Sequence, residues 1–363
     1  MLNLTMEMAK KIIFVGGILL ALQACGTGGS LLWTKFASVG LNQVPVEVNT
    51  TVCAHITGFV SEQRRICESK PLVVPSIRKG VLLAMEECKK QLSKERWDCS
   101  TMTEATALKG LLAIPSKETA FVYALTSAAV VHAVTKSCTA GDLPDCACKK
   151  SKNKYYGKIK ARCDENIQYG ILFSQLFVDA PDQDKQARLK FRRSGQNLVN
   201  LHNSRAGRQA VLTSIKTRCR CYGVSHGCAV RSCWKVLAKF EEIGHLLKKS
   251  YENSVEVMFA KRKRKLKRKA NRKIRLEQSE LVYMKRSPNY CRSNPRIGIS
   301  GTSGRVCQRD SEDSMNSCAL LCCGHGYNTQ IAREKKLCNC RFHWCCRVEC
   351  DTCEDVYDRY TCK

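Results

Sequence analysis

At 363 residues and 44% apolar, the chain is too long for one ordinary domain and too apolar for a disordered one, so two folded modules are expected. Its 25 cysteines exceed what a reducing cytosol keeps as free thiols, which points to an oxidising compartment. The formal net charge of +29 calls for a polyanionic partner, and in that compartment the polyanion is a sulfated glycosaminoglycan rather than a nucleic acid.

The first residues agree with that compartment. Lys10 and Lys11 precede an apolar run over residues 12–22, and small Ala24, Cys25 and Gly26 follow, the pattern of a signal peptide over 1–26. The run is shorter than the ~20 residues a membrane-spanning helix needs, and no later stretch is expected to span. A buried N-terminal helix and a bacterial lipoprotein site ending at Cys25 are the alternatives, the second fitting poorly at Gln23. Cleavage after Gly26 removes Cys25 and leaves 24 of the 25 cysteines, twelve in 53–233 and twelve in 291–362. That parity predicts a fully paired chain whose two halves close separately. Asn49-Thr50-Thr51 is a glycosylation sequon in a segment expected to be exposed.

Residues 27–255 read as a mainly α domain. Pro75 and Ser76 open a stripe of Ile77, Val81, Met85, Cys88 and Leu92 at helical spacing. Ser116 is a plausible N-cap, and Glu118 suits the positive end of a helix whose body, 120–134, is apolar almost all round; it should be the central helix. Two more helices are predicted, at 164–178 with Ile167, Ile171 and Leu172 inward, and at 194–217 with Leu198, Leu201, Val211 and Ile215 toward the core. Between them and the carboxy-terminal half, residues 261–275 hold eleven Lys or Arg in fifteen positions. Like charges repel, so 256–287 reads as a solvated linker, with Lys261, Arg262, Lys263, Arg264, Lys265, Lys267, Arg268 and Lys269 as the glycosaminoglycan-binding set; a solvated loop with no specific ligand is the plain alternative. Residues 288–363 lack a helical period and form a small cystine-rich β or irregular domain that depends on disulfides for order.

Two motifs are set aside. Gly223-Val224-Ser225-His226-Gly227 matches the G-x-S-x-G elbow of serine hydrolases, but it sits among Cys219, Cys221, Cys228 and Cys233, the surroundings of a braced hairpin rather than of a strand–turn–helix, so no enzyme is expected. Cys338, Cys340, Cys350 and Cys353 with His325 and His343 have zinc-like spacing, yet the adjacent pairs Cys322-Cys323 and Cys345-Cys346 suit disulfides better, and neither a metal nor a cofactor is expected. Phe342 and Trp344, in the short loop between Cys340 and Cys345, either pack on their own module or stand out as anchors for a partner.

Arg96-Trp97-Asp98-Cys99-Ser100, residues 118–124, Asp164-Glu165-Asn166-Ile167-Gln168-Tyr169-Gly170, residues 177–180 and residues 202–208 resemble successive blocks of the Wnt family, in order. So do residues 219–225, Cys233-Trp234, Gly301-Thr302-Ser303-Gly304-Arg305, residues 321–327 and Phe342-His343-Trp344-Cys345-Cys346. The resemblance covers about 53–362. It implies a secreted ligand of the extracellular space and matrix, with a helical N-terminal domain carrying a hairpin at 219–233 and a C-terminal domain carrying a second finger. The two grip the cysteine-rich domain of a Frizzled receptor, with Phe342, His343 and Trp344 in contact; a low-density-lipoprotein-receptor-related co-receptor and heparan sulfate proteoglycans are further expected partners. It also implies the pairs Cys221–Cys228, Cys219–Cys233, Cys338–Cys353, Cys340–Cys350 and the vicinal Cys345–Cys346, with Cys53, Cys67, Cys88, Cys99, Cys138, Cys146, Cys148, Cys163, Cys291, Cys307, Cys318, Cys322, Cys323 and Cys362 in the remaining disulfides. One departure stands out. The family's hairpin tip places an acylated Ser immediately before the Cys, and here that position is Gly227, which has no hydroxyl. The acyl site is therefore expected to be lost, with Ser225 the weak substitute. A heparin-binding growth factor of another family, or a competitor of acylated Wnt ligands without agonist activity, is the alternative reading.

Overall fold

The computed structural model describes residues 53, 56, 58–100, 110–147, 164–188, 195–222, 228, 230–260, 262, 264–309 and 316–363. The expected signal peptide, Asn49, Cys148, Cys163, Ser225, Gly227, Lys261 and Lys263 lie outside the described residues.

The amino-terminal half is a helical bundle: α1 (Ser61–Ser69), α2 (Val74–Gln91), α3 (Lys117–Ala140), α4 (Ile167–Val178), α5 (Ala180–Arg188), α6 (Gln196–Thr213) and α7 (Phe240–Glu252). The central helix is α3, as its composition predicts. Ser116 caps it by accepting from the Thr119 amide at 3.4 Å, and Gly141, at φ 90°, ends it. By length and composition α3 would span a membrane, contrary to the expectation that no later stretch would; here other helices enclose it and it is almost wholly buried. Helix α6 approaches α3 so closely that a Cβ on Gly207 would lie 2.0 Å from the Ala124 carbonyl oxygen.

Two sequence expectations need correction in phase. In α4 Ile167 is buried and Ile171 packs against the core as expected, but Leu172 is half-exposed and the rest of the inward stripe is Gly170, Phe173, Ser174 and Phe177; Phe173 and Phe177 stack with centroids 5.6 Å apart. In α6, Val211 is buried, but Leu198 and Leu201 are only partly so; the inward face is largely polar. That face is tolerated because its groups are paired. Arg208 donates to both Asp179 carboxylate oxygens, at 3.0 and 2.7 Å, and to Ser127 Oγ at 3.0 Å. Asn203 bonds the Val282 amide and carbonyl, each at 2.9 Å.

The segment 256–287 is not the solvated linker its charge suggested. Strands β3 (Val255–Ala260), β4 (Lys265–Arg268) and β5 (Val282–Tyr283) form a sheet in the order β4-β3-β5. Interspersed apolar residues hold it down: Val257 and Val282 are buried against Val199, with Leu266, Leu276 and Met284 packed around them. Repulsion is also relieved locally, since Arg268 pairs with Glu280 and Lys269 with Glu256 at 2.7 Å.

The carboxy-terminal module holds a short helix α8 (Cys318–Leu321) and a sheet β6-β8-β7 made of β6 (Val306–Cys307), β7 (Tyr327–His343) and β8 (Arg347–Cys362). Its small core is almost all cystine: Cys307, Cys318, Cys322 and Cys362 with Leu321. Reciprocal arginines join it to the bundle. Arg305 donates to the carbonyls of Ser93, Glu95 and Arg96 at 2.9, 2.6 and 2.8 Å and lies 3.4 Å from the Asp98 carboxylate. Arg96 in turn donates to the Leu320 carbonyl at 3.1 Å. Tyr290 stacks on Trp97 at this seam.

Ten disulfides close among the described residues. Five lie in the bundle: Cys53–Cys67, Cys88–Cys99, Cys138–Cys146, Cys219–Cys233 and Cys221–Cys228. Five lie in the carboxy-terminal module: Cys291–Cys323, Cys307–Cys318, Cys322–Cys362, Cys338–Cys353 and Cys340–Cys350.

Candidate functional site

Two hairpins stand out from the body. The first pairs β1 (Lys216–Tyr222) with β2 (Val230–Val236), Cys219 directly opposite Cys233. Two isolated antiparallel strands are marginal in water, so the two disulfides and a firm base are what order it. The base is Asp164-Glu165-Asn166, which the sequence reading placed inside a helix. Asp164 Oδ1 accepts from the Lys235 amide at 2.7 Å and Glu165 Oε2 from the Leu237 amide at 2.6 Å. The Glu165 amide donates to the Lys235 carbonyl at 3.0 Å, and Lys136 compensates the Glu165 charge at 2.6 Å. Asn166 meanwhile caps α4 by accepting from the Tyr169 amide at 3.2 Å.

The second hairpin, β7–β8, is longer. Its ladder runs without a break from Tyr327↔Cys362 to Cys338↔Asp351, slips at a bulge where Asn339 takes φ 49°, and resumes at Arg341↔Glu349. The cross-strand disulfides Cys338–Cys353 and Cys340–Cys350 brace that bulge. Beyond it Phe342 faces Val348 across the ladder, and both are exposed, at 69% and 60%. Trp344, in the three-residue turn, is 96% exposed, so it does not pack on its own module. His343 falls on the opposite face from Phe342, because successive residues alternate; its Nε2 lies 3.3 Å from Glu349, which also pairs with Arg347 at 2.7 Å. The structure thus leaves Phe342 and Trp344 both exposed at the end of one finger, turns His343 to the face opposite Phe342 and sets Val348, which sequence reasoning missed, across from Phe342. Its only signal was its register opposite Phe342 across a short turn.

One expected bond is absent. Cys345 and Cys346 are exposed and not joined, so the fully paired chain predicted by parity needs correction at this turn. Both bonded pairs of this finger span opposite strands, whereas these neighbours share one turn, at φ 74° and 75°, which the backbone closes by itself.

Of the basic set, Arg262, Arg264 and Lys265 are exposed and Lys267 is half-buried. Arg268 and Lys269 are engaged with Glu280 and Glu256, so the free charge sits at the β3–β4 turn. Three sulfurs, of Cys307, Cys322 and Cys362, lie within 4.8 Å of one another, but each belongs to a disulfide and none is a thiolate that would bind metal.

A helical body and a cystine-knit module, each presenting a disulfide-braced finger, define a class of disulfide-knit proteins with stiff hairpins set out from a packed core. The chain belongs to the Wnt family, whose model matches residues 55–363. It is 41% identical over 360 residues to Protein Wnt-16 of Bos taurus, covering 95% of each chain. To Protein Wnt-16 of Mus musculus it is 41% identical over 364 residues, again with 95% of each covered. Among solved structures it is similar to a chain in the complex of human WLS with WNT8A, at 32% identity and TM-score 0.58, over 80% of this chain and 93% of that one. It is accordingly a Wnt signalling ligand, a family of disulfide-bonded ligands rather than enzymes.

Proposed function

We propose that this ligand is secreted, binds the cysteine-rich domain of a Frizzled receptor chiefly through Phe342, Trp344 and Val348, and carries no fatty acyl chain on its first finger. The observation that carries the reading is Trp344, almost fully exposed at the tip of a doubly braced hairpin. A large aromatic held out in water costs the free protein solvation, and its rigid support lowers the ordering cost of binding. His343 acts at the edge, through its pairing with Glu349. Gly227 has no hydroxyl to esterify. Each buried methylene contributes about 0.8 kcal/mol, so the missing chain lowers receptor and membrane affinity and shifts the load to the second finger. A low-density-lipoprotein-receptor-related protein is the proposed co-receptor. Arg262, Arg264 and Lys265 at the β3–β4 turn hold heparan sulfate in the extracellular matrix, and Asn49 carries the glycan.

The test is binding of a Frizzled ectodomain by Phe342→Ala and Trp344→Ala proteins. Each is expected to lose roughly 2 kcal/mol or more of binding with its unfolding midpoint unchanged. Normal binding by both would refute the assignment. Metabolic labelling with an alkynyl fatty acid addresses acylation: an ester on Ser225 in the peptide spanning Cys221 and Cys233 would overturn the acyl-free reading. Gly227 also favours a second reading, a competitor that occupies Frizzled without signalling; receptor binding with no reporter response would mark it.

A further inference from the structure

We infer that the chain carries an endoproteolytic processing site after Arg275, and that the cut protein persists as a two-chain ligand. This rests on the reading that the chain is secreted, because the enzymes concerned are arginine-specific serine endoproteases of the secretory route. Such enzymes place arginine at the cleaved position and again three residues earlier, in two acidic pockets, and need the intervening backbone extended and accessible.

The Arg-x-x-Arg spacing occurs twice in the sequence, at Arg205 to Arg208 and at Arg272-Lys273-Ile274-Arg275. The structure separates them. Arg208 is buried inside α6 and bound to Asp179, so neither its side chain nor its backbone is available. The second copy lies in the irregular stretch between β4 and β5, and Arg272, Lys273, Ile274 and Arg275 are all exposed, Ile274 by 54%.

Other basic positions in the run fit less well. Arg264, with Lys261 three residues before it, sits at φ 47° in the tight β3–β4 turn, which cannot extend without opening both strands. Arg268, with Lys265 before it, is paired inside β4, half-buried and bound to Glu280. At Arg275 the restraints are slight. The Ile274 amide donates to the Asn271 carbonyl at 3.1 Å, Arg268 Nε donates to the Arg275 carbonyl at 3.4 Å, and Leu276 is partly buried on Val257 and Val282. Local opening breaks only these.

Hydrolysis breaks the peptide bond between Arg275 and Leu276; water supplies hydroxyl to the new Arg275 carboxyl group and a proton to the new Leu276 amine. The seam then decides the product. Each of the ten disulfides among the described residues lies wholly on one side of the cut. The fragments remain joined by Asn203 on Val282, by Ser287 donating to Glu118 at 2.9 Å, by the Met284 amide on the Pro115 carbonyl at 2.9 Å, and by Arg305. The cut also makes Arg272, Lys273 and Arg275 the end of a new carboxy terminus, beyond the still-paired β4.

The experiment is to collect the full chain from secreting cells and run it on a denaturing gel without reductant, with amino-terminal sequencing. Expected are two bands that separate without reductant, one beginning at Leu276, and a single species on native gel filtration. Arg275→Lys and Arg272→Lys, both charge-preserving and exposed, should lose the Leu276 fragment, while Arg205→Lys should keep it. If nothing is secreted, the secretion reading fails by itself; full chain purified from the cells is then incubated with a purified convertase of this specificity. A chain intact at Arg275 in the medium, or in that incubation when nothing is secreted, overturns the proposal, as does a cut at Arg264 or Arg268 instead.

Discussion

Replacing Arg305 by Ala should uncouple the two halves of the molecule. The guanidinium makes three hydrogen bonds, at 2.6, 2.8 and 2.9 Å, to carbonyls just beyond the end of α2. A hydrogen bond to a charged group contributes ~1.5–3 kcal/mol when well buried. Two of these three are to exposed groups and the side chain is 17% accessible, so ~1 kcal/mol each is the better figure, and the ion pair with Asp98 adds little. Arg305→Ala is then expected to cost about 3 kcal/mol, more than a hundredfold in the docking equilibrium. Arg305→Lys should recover only part of that, because one ammonium cannot reproduce a planar fork aimed at three oxygens. Urea unfolding followed by fluorescence is the assay, since Trp97 stacks on Tyr290 at this seam and reports its opening. The expected signature is an early transition at the seam, followed by unfolding of the bundle at its usual midpoint. A loss below about 1 kcal/mol for Ala, or a Lys variant as stable as the parent, would show that the stacked rings and Ser287 hold the seam without the arginine.

Gly207→Ala sets a methyl group 2.0 Å from the Ala124 carbonyl oxygen, and because backbone has nowhere to go it should cost at least ~1–3 kcal/mol in denaturant titration. Asp179→Ala leaves Arg208 charged and buried without its partner, with an expected cost of ~3–5 kcal/mol and a fall in secreted yield. Burial holds the imidazoles of His132 and His202 below the usual histidine pKa, with Lys136 and Arg205 respectively adding to the effect. The unfolded chain therefore binds more protons than the folded one just below the unperturbed value of about 6.5, so the stabilisation is complete above that pH and is lost as pH falls toward the lowered folded values. Thermal midpoints should drop from pH 7 to pH 5, and less so in a His132→Gln, His202→Gln double variant; equal slopes would place the acid sensitivity elsewhere.

The helices were legible where burial is apolar: the stripe of α2 and its early proline, and the Ser116 cap and apolar body of α3, stand in the sequence. Phase failed where the buried face is polar: nothing in the spacing of Asn200, Asn203 and Arg208 marks them as inward, since their burial depends on partners far along the chain. Asp164-Glu165-Asn166 looked like a helix start and is one only at Asn166; the other two carboxylates hold a hairpin that lies about seventy residues on, where local pattern has no reach. The basic run misled for a related reason, because the residues that neutralise and bury it, Glu256, Glu280 and Leu276, lie at its edges or beyond. At the second finger, Phe342 and Trp344 could be picked out as the aromatics of a short cysteine-bounded loop, whereas Val348 and the reversal of His343 follow only from register.

Eight of the ten disulfides among the described residues join cysteines no more than 15 residues apart, and only Cys291–Cys323 and Cys322–Cys362 span more, 32 and 40. A chain threaded amino end first into an oxidising compartment emerges at about 5–20 residues per second, so a short loop presents both its thiols within seconds of each other. Cys53–Cys67, Cys88–Cys99 and Cys138–Cys146 can each close before the next of these pairs arrives, whereas Cys221–Cys228, Cys307–Cys318 and Cys340–Cys350 close inside the still-open spans of Cys219–Cys233, Cys291–Cys323 and Cys338–Cys353. The order of synthesis thereby narrows the connectivity, and register across each hairpin settles the pairs nested there. The two long spans are the exceptions: Cys291 and Cys322 wait for 32 and 40 further residues respectively before their partners arrive, while nearer thiols pass them.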